Sequence, residues 1–245
     1  MQNSLMNKVS LVTGASRGIG AAVARLLAQR GADVALNYRS KGSRAEDVAN
    51  QVQASSRRAL LVQADIVDRD SVVRMMGEVR DAFGKLDILV LNASGGLEKD
   101  KPASYAMDLN QTAQVDTLAA ALPMMPQGGC VVFVTSHWAH FYGQKPVYEA
   151  YEAVAASKKA GEDALRARIP ELTSRGVRLA IVSGDIIDGT ITPKLLDRAQ
   201  PGLIAERRDR VGALPTIEEF ALAIVEAAQD TSRPSGHVSF VGPTE

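Results

Sequence analysis

The chain has 245 residues, 46% of them hydrophobic, with 28 lysines and arginines balancing 28 aspartates and glutamates. That length suits one α/β domain with a full core, while zero net charge without a basic stripe argues against nucleic acid or an anionic membrane as the main partner. The only cysteine, Cys130, excludes a disulfide framework and a thiolate metal site; with a polar segment over 1–7 and no apolar run of bilayer length, a soluble cytoplasmic protein is expected.

Apolar periodicity alternates between strand and helix along the chain. Val9, Leu11 and Val12 read as a short buried strand, followed by an amphipathic helix over 21–28. Further strands are expected over 33–37, 59–64, 86–91, 130–135, 177–182 and 237–241, and helices over 44–55, 71–83, 105–122, 151–172 and 217–229. Apolar strands spaced by helices require crossover connections, hence a parallel sheet covered on both faces. The expected fold class is α/β: a single doubly wound domain over 1–245, with a seven-stranded parallel sheet and helices on both faces. Its ligand belongs beyond the carboxyl ends of the strands. Residues 189–214 carry no strand signal, hold Leu195, Leu196, Leu203 and Ile204, and are punctuated by Pro193 and Pro201-Gly202. They are expected to form a mobile lid that closes over substrate.

Between the first strand and the first helix stand Gly14, Gly18 and Gly20. Without Cβ atoms the backbone can approach an anion, and the first-turn N–H groups and helix dipole then favour a pyrophosphate. Cofactor choice is read at the end of the second strand, where an acid would hold the ribose 2′-hydroxyl of NAD. This strand ends Asn37-Tyr38-Arg39-Ser40, with no acid. Arg39, with Arg17 in the glycine turn, offers forked guanidinium groups to a 2′-phosphate instead, so NADPH is the expected cofactor.

The spacing Thr13-Gly14-x-x-x-Gly18-x-Gly20 resembles the nucleotide turn of the short-chain dehydrogenase/reductase superfamily, which has a Rossmann-type fold, and the resemblance covers the whole chain. It implies a cofactor site drawn from Thr13, Gly14, Ser16, Arg17, Gly18, Ile19 and Gly20 in the turn, and Tyr38, Arg39 and Ser40 after strand two. Asp65 and Ile66 after strand three would meet the adenine, and Asn92-Ala93 resembles the superfamily's Asn-Asn-Ala-Gly motif. Lys158, Ser183, Gly184 and Ile186 complete the set. A Ser, a Tyr, a Lys and usually an Asn carry hydride transfer in that superfamily. Ser136 at the end of strand five, Lys158 in Ala155-Ala-Ser-Lys158, and Asn110 in Met107-Asp-Leu-Asn110 resemble three of them.

The tyrosine departs from the pattern. Val154 stands four residues before Lys158, where the usual motif has Tyr; Tyr151 stands seven before and Tyr148 ten. Seven residues return to nearly the same helix face about one turn (~4–5 Å) further along, so the Tyr151 hydroxyl can still face a nicotinamide. This Tyr-x6-Lys spacing resembles NADPH-dependent enoyl–acyl-carrier-protein reductases, as do the Asn-Tyr end of strand two, Asn92-Ala-Ser94 and Val182-Ser183-Gly184. The segment from Ser136 to Lys158 is longer than usual in the superfamily, enlarging the loop 137–146; that from Asn92 to Asn110 is shorter.

His137 and His140 could serve as acid/base groups but, three apart without a nearby acid or thiol, are a poor metal-ligand set; packing or substrate contact is favoured. Tyr142 is a possible second phenol. The function expected is NADPH-dependent reduction of a small-molecule carbonyl, with Tyr151 as proton donor. The alternatives are reduction of an enoyl-thioester C=C bond and a catalytically decayed NADP(H) sensor. A homo-oligomer, dimer or tetramer, is expected from the small residues on the helices near 119–125 and after Tyr151.

Overall fold

The computed structural model describes residues 4–98 and 101–244. In chain order β1 (Val9–Val12) leads through the glycine turn to α1 (Gly18–Gln29), then β2 (Asp33–Tyr38), α2 (Gly42–Ala54), β3 (Ala59–Gln63), α3 (Arg69–Phe83) and β4 (Ile88–Leu91). The second half runs α4 (Tyr105–Met107), a π-helical turn (Asp108–Thr112), α5 (Ala113–Ala121), β5 (Cys130–Ser136), α6 (His137–His140), a 3-10 turn (Glu149–Tyr151), α7 (Glu152–Arg166) and α8 (Ile169–Ser174). It closes with β6 (Arg178–Gly184), α9 (Ile191–Ala199), α10 (Leu203–Val211), α11 (Ile217–Gln229) and β7 (His237–Val241).

The seven strands form one parallel sheet in the order β3-β2-β1-β4-β5-β6-β7. Strand order reverses between β1 and β4, and a crevice opens at their carboxyl ends. Because strand side chains alternate, neighbours serve opposite layers. Val12, Val132 and Val134 join α1, α2 and α11 on one face, while Leu11, Val131 and Phe133 join α3 and α5 on the other. A third, smaller cluster holds Tyr151, Val154, Ala155 and Ile186 together with Leu196, Leu203 and Ile204 of α9 and α10. The segment 189–214 is thus largely helical, and its apolar side is packed against the residues around Tyr151.

Two expected helices, and with them the placement of Tyr151, are corrected. The helix over 105–122 is interrupted by the π turn, at which Asn110 sits. The helix over 151–172 is two helices, because Pro170 can start a helix but cannot continue one. Tyr151 precedes α7 in the 3-10 turn and stands at its N-cap, rather than lying within a continuous helix. No helix among the described residues is long and apolar enough to cross a membrane.

Candidate active site

Beyond the carboxyl ends of the central strands lies a cavity of about 580 Å³. The glycine turn forms its floor for a steric reason. A Cβ on Gly20 would lie 2.4 Å from the Gly14 carbonyl oxygen and 2.6 Å from Asn92 Nδ2, and Gly14 holds φ +67°; only glycine allows this closure. Arg17 caps α1 without a side-chain cap bond, and the first turn carries no acid, which leaves the first N–H groups available to an anion. Arg39, Lys41 and Arg44 line the cavity beyond β2, and Arg17 joins them from the turn. With Lys194 from α9 the lining holds five cations, and these and a bare helix start fit a dinucleotide carrying an additional phosphate.

Of the expected cofactor residues, Gly14, Ser16, Arg17, Gly18, Ile19, Gly20, Tyr38, Arg39, Ser40, Asp65, Ile66, Asn92 and Ala93 line this cavity. Thr13, Lys158, Ser183, Gly184 and Ile186 do not line it. Thr13 Oγ1 donates to the Val90 carbonyl and accepts from the Asn92 and Ala93 N–H groups, so it splices β1 to β4. Asn92 Nδ2 in turn donates to the Thr13 carbonyl at 2.8 Å, bracing the glycine turn. Ser183 is fully buried against His137, a Cβ on Gly184 would strike the Phe220 ring, and Ile186 belongs to the third cluster. Arg39 donates to Tyr105 Oη at 2.6 Å and lies 4.0 Å from the Asp65 carboxylate.

Ser136, Tyr151, Lys158 and Asn110 stand on β5, the 3-10 turn, α7 and the π turn, and of the four only Tyr151 and Ser136 are joined directly. Tyr151 Oη donates to Ser136 Oγ at 3.2 Å, and Ser136, as N-cap of α6, also accepts from the Ala139 N–H. Burial pushes the Tyr151 phenol above its ordinary value, against the lowering influence of the Ser136 hydroxyl; it stays protonated at neutral pH. Lys158 is buried and donates to Ser94 Oγ at 3.2 Å. Burial, with no anionic partner among the described residues, pulls its ammonium down to about 8. Asn110 Nδ2 donates to the Gly95 carbonyl and to Ser157 Oγ, while its own carbonyl meets α7 so closely that a Cβ on Gly161 would lie 2.0 Å from it.

Tyr142 Oη donates to the Glu152 carboxylate at 2.6 Å on the exposed side, and the Tyr148 ring stands edge-on to Trp138. Val154, at the usual tyrosine position, is buried, and its Cγ2 lies 3.1 Å from where a Gly96 Cβ would sit. His137 Nδ1 pairs with Ser183 Oγ at 2.8 Å and its Nε2 faces the Gly242 carbonyl; burial lowers its pKa, so it is a neutral structural link. His140 pairs with the buried Glu162 carboxylate. The residues not singled out from sequence are Lys41, Arg44, Ser157 and Gly161. The run Arg39-Ser-Lys41-Gly-Ser-Arg44 and a glycine inside a helical pattern were the available signals.

The profile of the short chain dehydrogenase family matches residues 8–200, and the chain belongs to that family. A hydroxynaphthalene reductase of Aspergillus fumigatus is 39% identical over 140 residues, which is 54% of this chain and 50% of the relative, so that match spans half the relative's length. A cis-4-hydroxycyclohexanecarboxylate dehydrogenase of Sinomonas cyclohexanicum is 32% identical over 244 residues, 95% of this chain and 93% of the relative. The crystal structure of a short chain dehydrogenase from Burkholderia cenocepacia in complex with NADP is similar with a TM-score of 0.84 at 30% identity, covering 98% of each chain.

Proposed function

We propose that this protein is an NADPH-dependent reductase of ring-bearing ketones in which Tyr151 replaces the usual tyrosine as proton donor. The observation that carries the reading is the Tyr151–Ser136 hydrogen bond at the end of β5. The NADP complex of the Burkholderia relative and the five cations of the cavity support the cofactor; the two curated relatives, both named for ring compounds, support the substrate class.

Bound NADPH supplies the hydride. The remaining work falls to the chain. Arg17 and Arg39 hold the 2′-phosphate, and the α1 N-terminus holds the pyrophosphate. Ser136 Oγ turns from Tyr151 to the substrate oxygen and stabilises the charge that develops there. Tyr151 Oη donates its proton to the same oxygen. Lys158, as an ammonium, orients the cofactor ribose and favours the phenolate that the proton transfer leaves behind. Asn110 fixes the π turn against α7 and keeps Lys158 aligned, while Thr13, Ser183, Gly184 and Ile186 act by supporting these groups. α9 and α10 form a lid that excludes water. A cytoplasmic homo-oligomer acting on a small molecule completes the reading.

The seven-residue step from Tyr151 to Lys158 favours a second reading, hydride addition to an enoyl thioester with Tyr151 stabilising the enolate. NADPH oxidation against cyclic ketones, quinones and enoyl thioesters separates the two. Turnover of the ketones is expected. Turnover of thioesters alone would establish the second reading, and tight NADPH binding without turnover of any compound would establish a sensor.

A further inference from the structure

The enlarged loop 137–146 builds a second cavity, of about 290 Å³, on the side of Trp138 bordered by α10. Trp138, Phe141 and Tyr148 supply aromatic wall, and Lys145, Arg207 and Arg210 supply charge; no acid is among its described lining residues. The three cations are not equivalent. Arg207 is buried in a two-pronged ion pair with the buried Asp185, which neutralises it. Arg210 pairs with Glu206 at 2.6 Å, but both side chains are at least half exposed, and such a pair exchanges for a better partner at little cost. Lys145 sits over the Phe141 ring and donates to the Thr244 carbonyl, a neutral acceptor that leaves its charge uncompensated by that contact.

One wall residue of the cavity also touches the reacting phenol. The Trp138 ring that walls it stands edge-on to Tyr148 at 4.8 Å and to Tyr151 at 5.2 Å. We infer that this cavity is a subsite for the carboxylate end of the substrate: an aromatic or alicyclic keto acid whose ring packs on Trp138 and whose carboxylate is held by Lys145 and Arg210. The aromatic rings supply apolar area and an edge for the ring, and two cations at one end give a carboxylate charge-assisted hydrogen bonds that a neutral analogue lacks. The assignment of this ligand as substrate rests on the reading of Tyr151 as the reacting phenol; the binding itself does not.

Trp138 is the only tryptophan of the chain, so its fluorescence reports the cavity directly. The holoprotein with NADP+ is titrated with 4-acetylbenzoate and with its neutral isostere 4-acetylbenzamide. The acid is expected to perturb Trp138 and to bind roughly ten times or more tightly than the amide. The double variant Lys145→Gln, Arg210→Gln, both changes at the cavity wall rather than in the core, is expected to bind the two compounds alike. Tyr151→Phe is expected to keep the acid preference while losing turnover, which separates failure of the chemistry from failure of the subsite. Equal binding of acid and amide to the unaltered protein, an acid preference surviving in the double variant, or no change in Trp138 emission would overturn the assignment.

Discussion

Tyr151 Oη reaches Ser136 Oγ at 3.2 Å across 15 residues of sequence, although the usual tyrosine position is held by Val154. The reach is possible because Tyr151 stands in the 3-10 turn before α7, not on the helix itself. A phenol one turn further out therefore returns to the end of β5, where a substrate oxygen would be met. Edge-on contact with Trp138 at 5.2 Å fixes the ring from the other side.

If the displaced phenol is the working group, restoring the ordinary spacing brings no benefit. Val154 is buried, with its Cγ2 3.1 Å from where a Gly96 Cβ would lie, so Val154→Tyr must force a ring into occupied space. Such overpacking costs about 1–3 kcal/mol. A lowered Tm and no gain in kcat are expected. The double variant Val154→Tyr, Tyr151→Phe is expected to be as inactive as Tyr151→Phe alone; recovered turnover in it would show that the site still favours the usual geometry.

Lys158 links stability to pH. Its ammonium is pulled from 10.5 to about 8 by burial, so between those values the unfolded chain binds more protons than the native one, and stability rises with pH across that window. Below about 8 both states are charged and the native state carries the full penalty, on the order of 3 kcal/mol. Lys158→Met is thus expected to raise the Tm of the cofactor-free protein at pH 7 and to lose that advantage above pH ~10. Activity follows the opposite course: kcat/KM for NADPH falls as pH rises through about 8 and the ammonium is lost. A flat profile across that pH range would contradict this role.

Cofactor preference should lie chiefly with Arg39. Arg39→Gln removes a forked guanidinium that the Tyr105 hydroxyl holds at 2.6 Å. A lost charge-assisted contact is worth roughly tenfold to hundredfold in affinity. The expected result by titration is that much weaker binding of NADPH and little change for NADH. Equal weakening of both would mean that Arg39 shapes the cavity without reading the phosphate.

Much of this was legible in the residues themselves. Gly14, Gly18 and Gly20 marked the nucleotide turn because close backbone approach has few other sequence solutions. The seven strands were marked by short apolar runs such as Leu86–Leu91, which only a sheet covered on both faces can bury. Two features were less accessible. The π turn at Asn110 depends on Gly161 in another helix, whose missing Cβ admits the Asn110 carbonyl; periodicity within one segment carries no signal of such a pairing. The split near Pro170 was available from the proline but masked by the apolar pattern running through it. The roles of His137 and His140 were settled by Ser183 and Glu162, partners 46 and 22 residues away.

The most direct test of the account is the kcat of Tyr151→Phe with the best ketone, measured beside its NADPH affinity. Loss of a positioned proton donor costs roughly 10²–10⁴-fold, so a drop in kcat of that size is predicted, with Kd for NADPH little changed because Tyr151→Phe removes only a hydroxyl that donates to Ser136. A variant that reduces the ketone within a few-fold of the unaltered protein would contradict the claim that this displaced phenol carries the reaction.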